Sequence, residues 1–162
     1  MDGYFTEILP NIYWFYIYKS QNNQNNLVNN TVNQIQNNVK KFCVLKKIEK
    51  VIRLDTETSF WSKNKNFSIE IRRKLIELDN KKLLDYYKKQ LIELKQLYYD
   101  NKKVLLISSN NIDTAIGFFL FIFKNIANMS INHSILSLKS KMKTPISLSG
   151  DMNFFIKNVL MK

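Results

Sequence analysis

The chain has 162 residues, of which 45% are hydrophobic and 13% aromatic, which suits one domain with one sizeable core and excludes wholesale disorder. One cysteine and one histidine exclude an internal disulfide framework and a multi-cysteine zinc site, so neither a metal nor a cofactor is expected. A net charge of +12 points to a nucleic-acid or membrane partner, although the same Lys-, Asn- and Ile-rich composition is what an AT-rich gene translates into, and only Arg53, Arg72 and Arg73 are arginine.

The N-terminal segment MDGYFTEILPNIYWFYIYKS carries Asp2 and Glu7 and no early positive charge, so it does not read as a signal peptide. Aromatic and β-branched residues from Ile8 to Tyr18 predict a short strand punctuated by Pro10 and Asn11. The tract that follows, about residues 20–38, is rich in Asn and Gln and is expected to be an elaboration of the domain. Gln21 to Asn26 reads as loop or disorder. Val28, Val32, Ile35, Val39 and Phe42 then recur on one face of a helix ending near Phe42. IEKVIRL (Ile48 to Leu54) predicts a buried strand, and Phe60 to Phe67 a loop. Ile69 and Ile71 alternate, and LIEL (Leu75 to Leu78) reads as a further strand that ends at Asp79. Asp79 or Asn80 would then cap a helix carrying Leu83, Leu84, Tyr87, Leu91, Leu94 and Tyr98.

VLLIS (Val104 to Ser108) is an apolar run of the buried parallel-strand type. It leads through SSNNID into an apolar helix over about 114–128, in which Phe118, Phe119, Phe121 and Phe123 are core positions. The most apolar run, Ala115 to Phe123, is far shorter than the ~20 residues that span a bilayer, so no membrane span is expected and the chain is placed inside the cell, in cytoplasm or nucleus. Ser130 is the expected cap of a helix with Ile131, Ile135, Leu138 and Met142 on one face. Pro145 ends that segment, and Gly150 and Asp151 open a last helix with Phe155 and Val159. Strands alternating with helices predict a single α/β domain over residues 1–162, with a mainly parallel central sheet flanked by helices.

In such sheets the functional site lies beyond the carboxyl ends of the strands, which points to the junction KVLLISSNNIDTAIGFF, Lys102 to Phe119. A loop entering a helix N-terminus presents backbone amides and a positive dipole end to an anion. Its first glycine, Gly117, is already inside the helix, so neither a P-loop nor a dinucleotide fingerprint is present.

In order and spacing, five segments resemble the dual-specificity branch of the protein tyrosine phosphatases. ILPNIYW resembles that family's opening segment of the type I-x-P-x-L-Y-L-G, and KKIEKVIRL its strand of the type I-x-x-V-L-N-L. LIELDN resembles the strand leading to the general-acid loop, which puts Asp79 at the acid's position. KKVLLISSNNIDTAI resembles the strand, signature loop and helix of the type V-L-V-H-C-x-x-G-x-S-R-S, beginning 29 residues later at Ser108. The tail from Ser134 to Leu160 resembles the two closing helices. The resemblance implies a dual-specificity-phosphatase-like fold.

It also implies a disabled site. Active members hold a cysteine thiolate six residues before an arginine that grips phosphate bidentately. Here Ser108 stands at the nucleophile position and Thr114 at the arginine position, with Ile107 for the preceding histidine and Asn111 for the loop glycine. Asp113 adds a carboxylate beside a site meant for a dianion. Cys43 cannot substitute, because Glu49 stands six residues on. A serine-hydrolase alternative lacks a G-x-S-x-G elbow and would need His133, which falls in the exposed first turn of a helix.

The resemblance therefore implies a pseudophosphatase that acts as a protein-binding scaffold or a competitor of active phosphatases, with a phosphorylated or acidic protein as partner. Ser108, Ser109, Asn110, Asn111, Ile112, Asp113 and Thr114 form its degenerate phosphate-binding loop. The alternatives are residual anion binding by that loop and nucleic-acid binding through lysine clusters such as Lys40/Lys41/Lys46/Lys47/Lys50.

Overall fold

Pro10 and Asn11 set the first turn. Proline fixes φ near −65° and Asn11 adopts φ 68°, the combination a type II turn requires. The turn joins two antiparallel strands, β1 (Asp2–Leu9) and β2 (Ile12–Tyr18), with a bulge between Glu7 and Leu9. The single strand expected here is thus a hairpin. The structure, a computed structural model, describes residues 2–18, 29–54, 69–108, 112–142, 146 and 148–161.

Among the described residues, four strands form one mixed sheet in the order β1-β2-β4-β3. The central strand β4 (Val104–Ser108) is buried along its whole length and pairs in parallel on both sides. Ile12 to Tyr16 of β2 face Val104 to Ser108, and Lys50 to Arg53 of β3 (Lys50–Arg53) face Val104 to Ile107. The expectation of a mainly parallel sheet is corrected to a mixed one, because β1 closes its edge as a hairpin. The α/β class stands.

Helices cover both faces. From β2 the chain crosses β4 to reach β3, then returns from β3 to β4. One handedness for both crossovers requires their helices on opposite faces. Accordingly α1 (Asn29–Lys46) packs Ile35, Val39, Phe42 and Cys43 against Phe15, Leu105 and Ile107 on one face. On the other, α2 (Ile69–Tyr99), α3 (Ile112–Ile126), α4 (Ile131–Lys141) and α5 (Gly150–Phe155) enclose the main core with Trp14, Tyr16, Ile52, Val104 and Leu106. The last turn, Ile156–Leu160, continues α5 in π-helical form.

The Asn/Gln-rich tract contributes the solvent side of α1, where Asn33, Gln34, Gln36, Asn37 and Asn38 are exposed. The helix runs four residues past Phe42 and ends in a Schellman motif: Ile48 N–H donates to the Cys43 carbonyl at 2.9 Å, with Lys47 at φ 56°. A lysine in that left-handed position is strained, so Lys47→Gly is expected to stabilise the protein by about 0.5–1 kcal/mol in urea unfolding. The expected loop at Gln21 to Asn26, the loop at Phe60 to Phe67 and the stop at Pro145 lie outside the described residues.

The largest correction concerns residues 69–80. The expected strands at Ile69/Ile71 and Leu75 to Leu78 do not form; α2 is continuous over 31 residues, about 46 Å. Its sequence contains no glycine or proline and is richest in Leu and Lys, both good helix formers. Asp79 and Asn80 are therefore inside the helix rather than at its cap. Leu83, Tyr87 and Leu94 form its inward stripe, and Asp79, four residues before Leu83, is buried with it.

Other expectations hold. Residues 114–123 of α3 are all buried, as a helix apolar on every side requires. Ser130 caps α4, its Oγ accepting from His133 N–H at 3.2 Å. Ile131 and Leu138 are buried and Ile135 and Met142 half-buried. No helix among the described residues is long and apolar enough to cross a membrane.

Candidate functional site

β2 and β4 are parallel neighbours, and the helices that follow them in the chain, α1 and α3, lie on opposite faces of the sheet. At such a switch point α/β sheets ordinarily bind ligands, at the carboxyl ends of the strands. The junction picked out in the sequence, Ser108 to Thr114, begins there. Of its residues Ser108, Ile112, Asp113 and Thr114 are described, whereas Ser109, Asn110 and Asn111 lie outside the described residues.

Ser108 is fully buried at the end of β4, in register with Tyr16. Its Oγ accepts a hydrogen bond from the indole Nε1–H of Trp14 at 2.7 Å. The partner is fixed by pleat geometry: Trp14 points to the main core, stacks on Tyr16 at 4.2 Å and meets Phe119 edge-on at 4.7 Å. A buried indole N–H needs an acceptor, and Ser108 supplies it. Among the described residues no buried side-chain nitrogen or oxygen is left without a partner.

Asp113 lies in the first turn of α3, where a carboxylate complements the positive end of the helix dipole. Its Oδ2 accepts Ser149 N–H at 2.9 Å, fastening the start of α5 to the start of α3. Thr114 is buried, and its carbonyl accepts the Tyr87 hydroxyl at 2.7 Å. Burial pushes the Tyr87 hydroxyl well above the usual tyrosine range, with smaller upward contributions from Tyr86 and Asp113. The Tyr87 hydroxyl and Met152 close on Gly117, leaving no space for a β-carbon there.

The serine, aspartate and threonine at the signature positions are thus bound to the protein's own groups. Trp14, Tyr87 and Ser149 complete that packing and were not singled out in the sequence as site residues. Trp14 carried one usable signal, a tryptophan in an apolar strand whose N–H must find an acceptor, but naming Ser108 needed the β2–β4 register.

Asp79 is buried on α2, two turns and about 12 Å of helix before Tyr87. It follows helix, not a strand end, so the local setting of a general-acid loop is missing. Cys43 faces the smaller core from α1, and burial raises its thiol pKa, opposite to what an activated nucleophile needs. His133 is exposed at the start of α4. A shallow cavity of about 250 Å³ between Lys124, Met129, Ser130, Ile131 and Leu160 lies at the far end of α3, and the Lys124 ammonium donates to the Leu160 carbonyl at 2.7 Å. That cavity includes none of the residues from Ser108 to Thr114.

No family model matches the chain, and comparison with the curated proteins finds no match either.

Proposed function

We propose that the chain is a non-catalytic, protein-binding scaffold: a pseudophosphatase, resembling a dual-specificity phosphatase in the order of hairpin, helices, signature junction and closing helices. The observation that carries the non-catalytic reading is the bond between Trp14 Nε1 and Ser108 Oγ, 2.7 Å long and buried. A hydroxyl committed as acceptor to a core indole, and out of solvent, is poorly set to attack a phosphate ester. Around it, Thr114 offers no guanidinium, and the Asp113 carboxylate occupies the helix end that would otherwise attract an anion. Losing the arginine alone forfeits charge-assisted hydrogen bonds worth about 1.5–3 kcal/mol each. Helix at residues 69–80 weakens the likeness at one of its five segments and leaves the other four in sequence.

Turnover of a fluorogenic aryl phosphate tests the reading. Wild type and Ser108→Ala are expected to match buffer. Ser108→Cys is expected to stay inactive as well, because a thiol buried beside Trp14 keeps its proton. A rate above buffer that falls in Ser108→Ala would show an enzyme. Titration with vanadate or a phosphotyrosine peptide addresses the anion-binding alternative: micromolar affinity abolished by substitutions within 108–114 would replace the scaffold reading with a phosphate-recognising one.

A further inference from the structure

We infer that the outward C-terminal face of α1, with the adjoining edge strand β3, is a docking surface for an anionic membrane. Its first element is exposed aliphatic area. Val44 and Leu45 are 79% and 77% exposed on α1, and Val51 is 43% exposed on β3. Val51 and Arg53 pair with Leu105 and Ile107, so they lie on the sheet face that α1 covers and project from the same side of the molecule.

The second element is charge. Lys40 and Lys41 stand one turn before Val44 and Leu45, and Lys46 and Lys47 follow directly; all four are exposed. Residues 40–50 contain five lysines and one acid, Glu49, which is already held by Lys102 at 3.6 Å and by Lys103 N–H at 3.1 Å. The 18 residues of α1 include no Asp or Glu, and the rest of its described outward face is neutral Asn and Gln. Among the described residues, Glu7 bonds Tyr13 and Glu93 of α2 holds Lys50 at 3.4 Å, so the charge of this face rests on Lys40, Lys41, Lys46 and Lys47.

A helix lying flat on a sheet, with aliphatic side chains flanked by lysines one turn away, matches the interfacial plane of a bilayer. Val44 and Leu45 enter the acyl boundary while the lysine stems extend to the anionic headgroups. The same features disfavour nucleic acid, because aliphatic side chains add nothing at a phosphate backbone and this face carries a single arginine, Arg53.

The test is co-sedimentation of the full chain with phosphatidylcholine vesicles, with and without about 30% phosphatidylserine, at ~0.1 M salt. Binding is expected to the anionic vesicles and at least about tenfold weaker to the neutral ones. Lys40→Gln with Lys41→Gln is expected to lower partitioning about 25-fold, at about fivefold per lysine, and Val44→Ser with Leu45→Ser about tenfold. Lys81→Gln with Lys82→Gln, on α2 across the sheet, is expected to change it less than about threefold. All sites are exposed, so each variant should keep the wild-type melting temperature. Failure of the wild type to bind anionic vesicles overturns the inference. So does an undiminished affinity of the Val44/Leu45 variant, which would mark a charge-only surface of the nucleic-acid type, or an equal loss in the Lys81/Lys82 variant.

Discussion

Trp14→Ala is expected to destabilise the protein by about 3–5 kcal/mol, lowering its melting temperature by roughly 6–20 °C. The side chain is fully buried, rests on Tyr16 and Phe119, and supplies the donor for Ser108. Its removal opens a cavity between sheet and α3 that a close-packed core refills only in part. The polar part of the loss is separable. Ser108→Ala leaves the indole N–H buried without an acceptor and is expected to cost about 1–3 kcal/mol. Trp14→Phe removes the donor but keeps much of the ring. Once Trp14 is Phe, Ser108→Ala should cost less, so the double variant is expected to be more stable than the sum of the singles predicts, by about 0.5–3 kcal/mol. Urea unfolding of the four proteins gives the cycle. Strict additivity, or a Ser108→Ala cost below about 0.5 kcal/mol, would mean that the bond contributes nothing.

Gly117→Ala is expected to cost about 1–3 kcal/mol, although alanine is the better helix former. The added methyl would press on the Tyr87 hydroxyl and sit 2.8 Å from Met152 Sδ. Tyr87→Phe deletes the oxygen being struck, at the cost of the bond to the Thr114 carbonyl, worth about 1 kcal/mol. In the Phe background Gly117→Ala should therefore lose most of its penalty. If it costs the same with Tyr or Phe at position 87, the hydroxyl is not what excludes the methyl.

The same tyrosine has a pH signature. Because its folded pKa is raised, the native state keeps the proton at pH values where the unfolded chain has released it. The contribution is intact below pH ~10 and declines above it, by at most about 1.4 kcal/mol per pH unit, until the folded group also ionises. Tyr87→Phe should flatten that alkaline decline.

How far the fold could be read in advance follows from how local each signal is. The buried strand β4 declared itself by five consecutive apolar or small residues, VLLIS, and α3 by an apolar run with no polar face. Ser130 was legible because capping is a matter of three residues. β1 was not, since Asp2, Gly3 and Glu7 interrupt its pattern and its pairing with β2 supplies the order. The first turns of α2 were misread because LIEL suits a strand as well as a helix. The continuous helix through Asp79 and Asn80 overrides those two polar residues. At the candidate site the position in the chain was legible, as was the change of residue types at Ser108 and Thr114. The occupants of those groups were not, because Trp14 and Tyr87 reach them only through register and helix packing.

The joining of β2 to β4 also has a temporal side. Trp14 and Ser108 are 94 residues apart in the chain, so the middle of the sheet cannot close until Ser108 has left the ribosome. Until then β2 has only β1 beside it, and its other edge, which carries Trp14, Phe15 and Tyr16, stands open to wrong partners. A contact that closes so long a loop forms late, so the stability lost in the Trp14 and Ser108 variants should emerge as faster unfolding, with refolding rates almost unchanged.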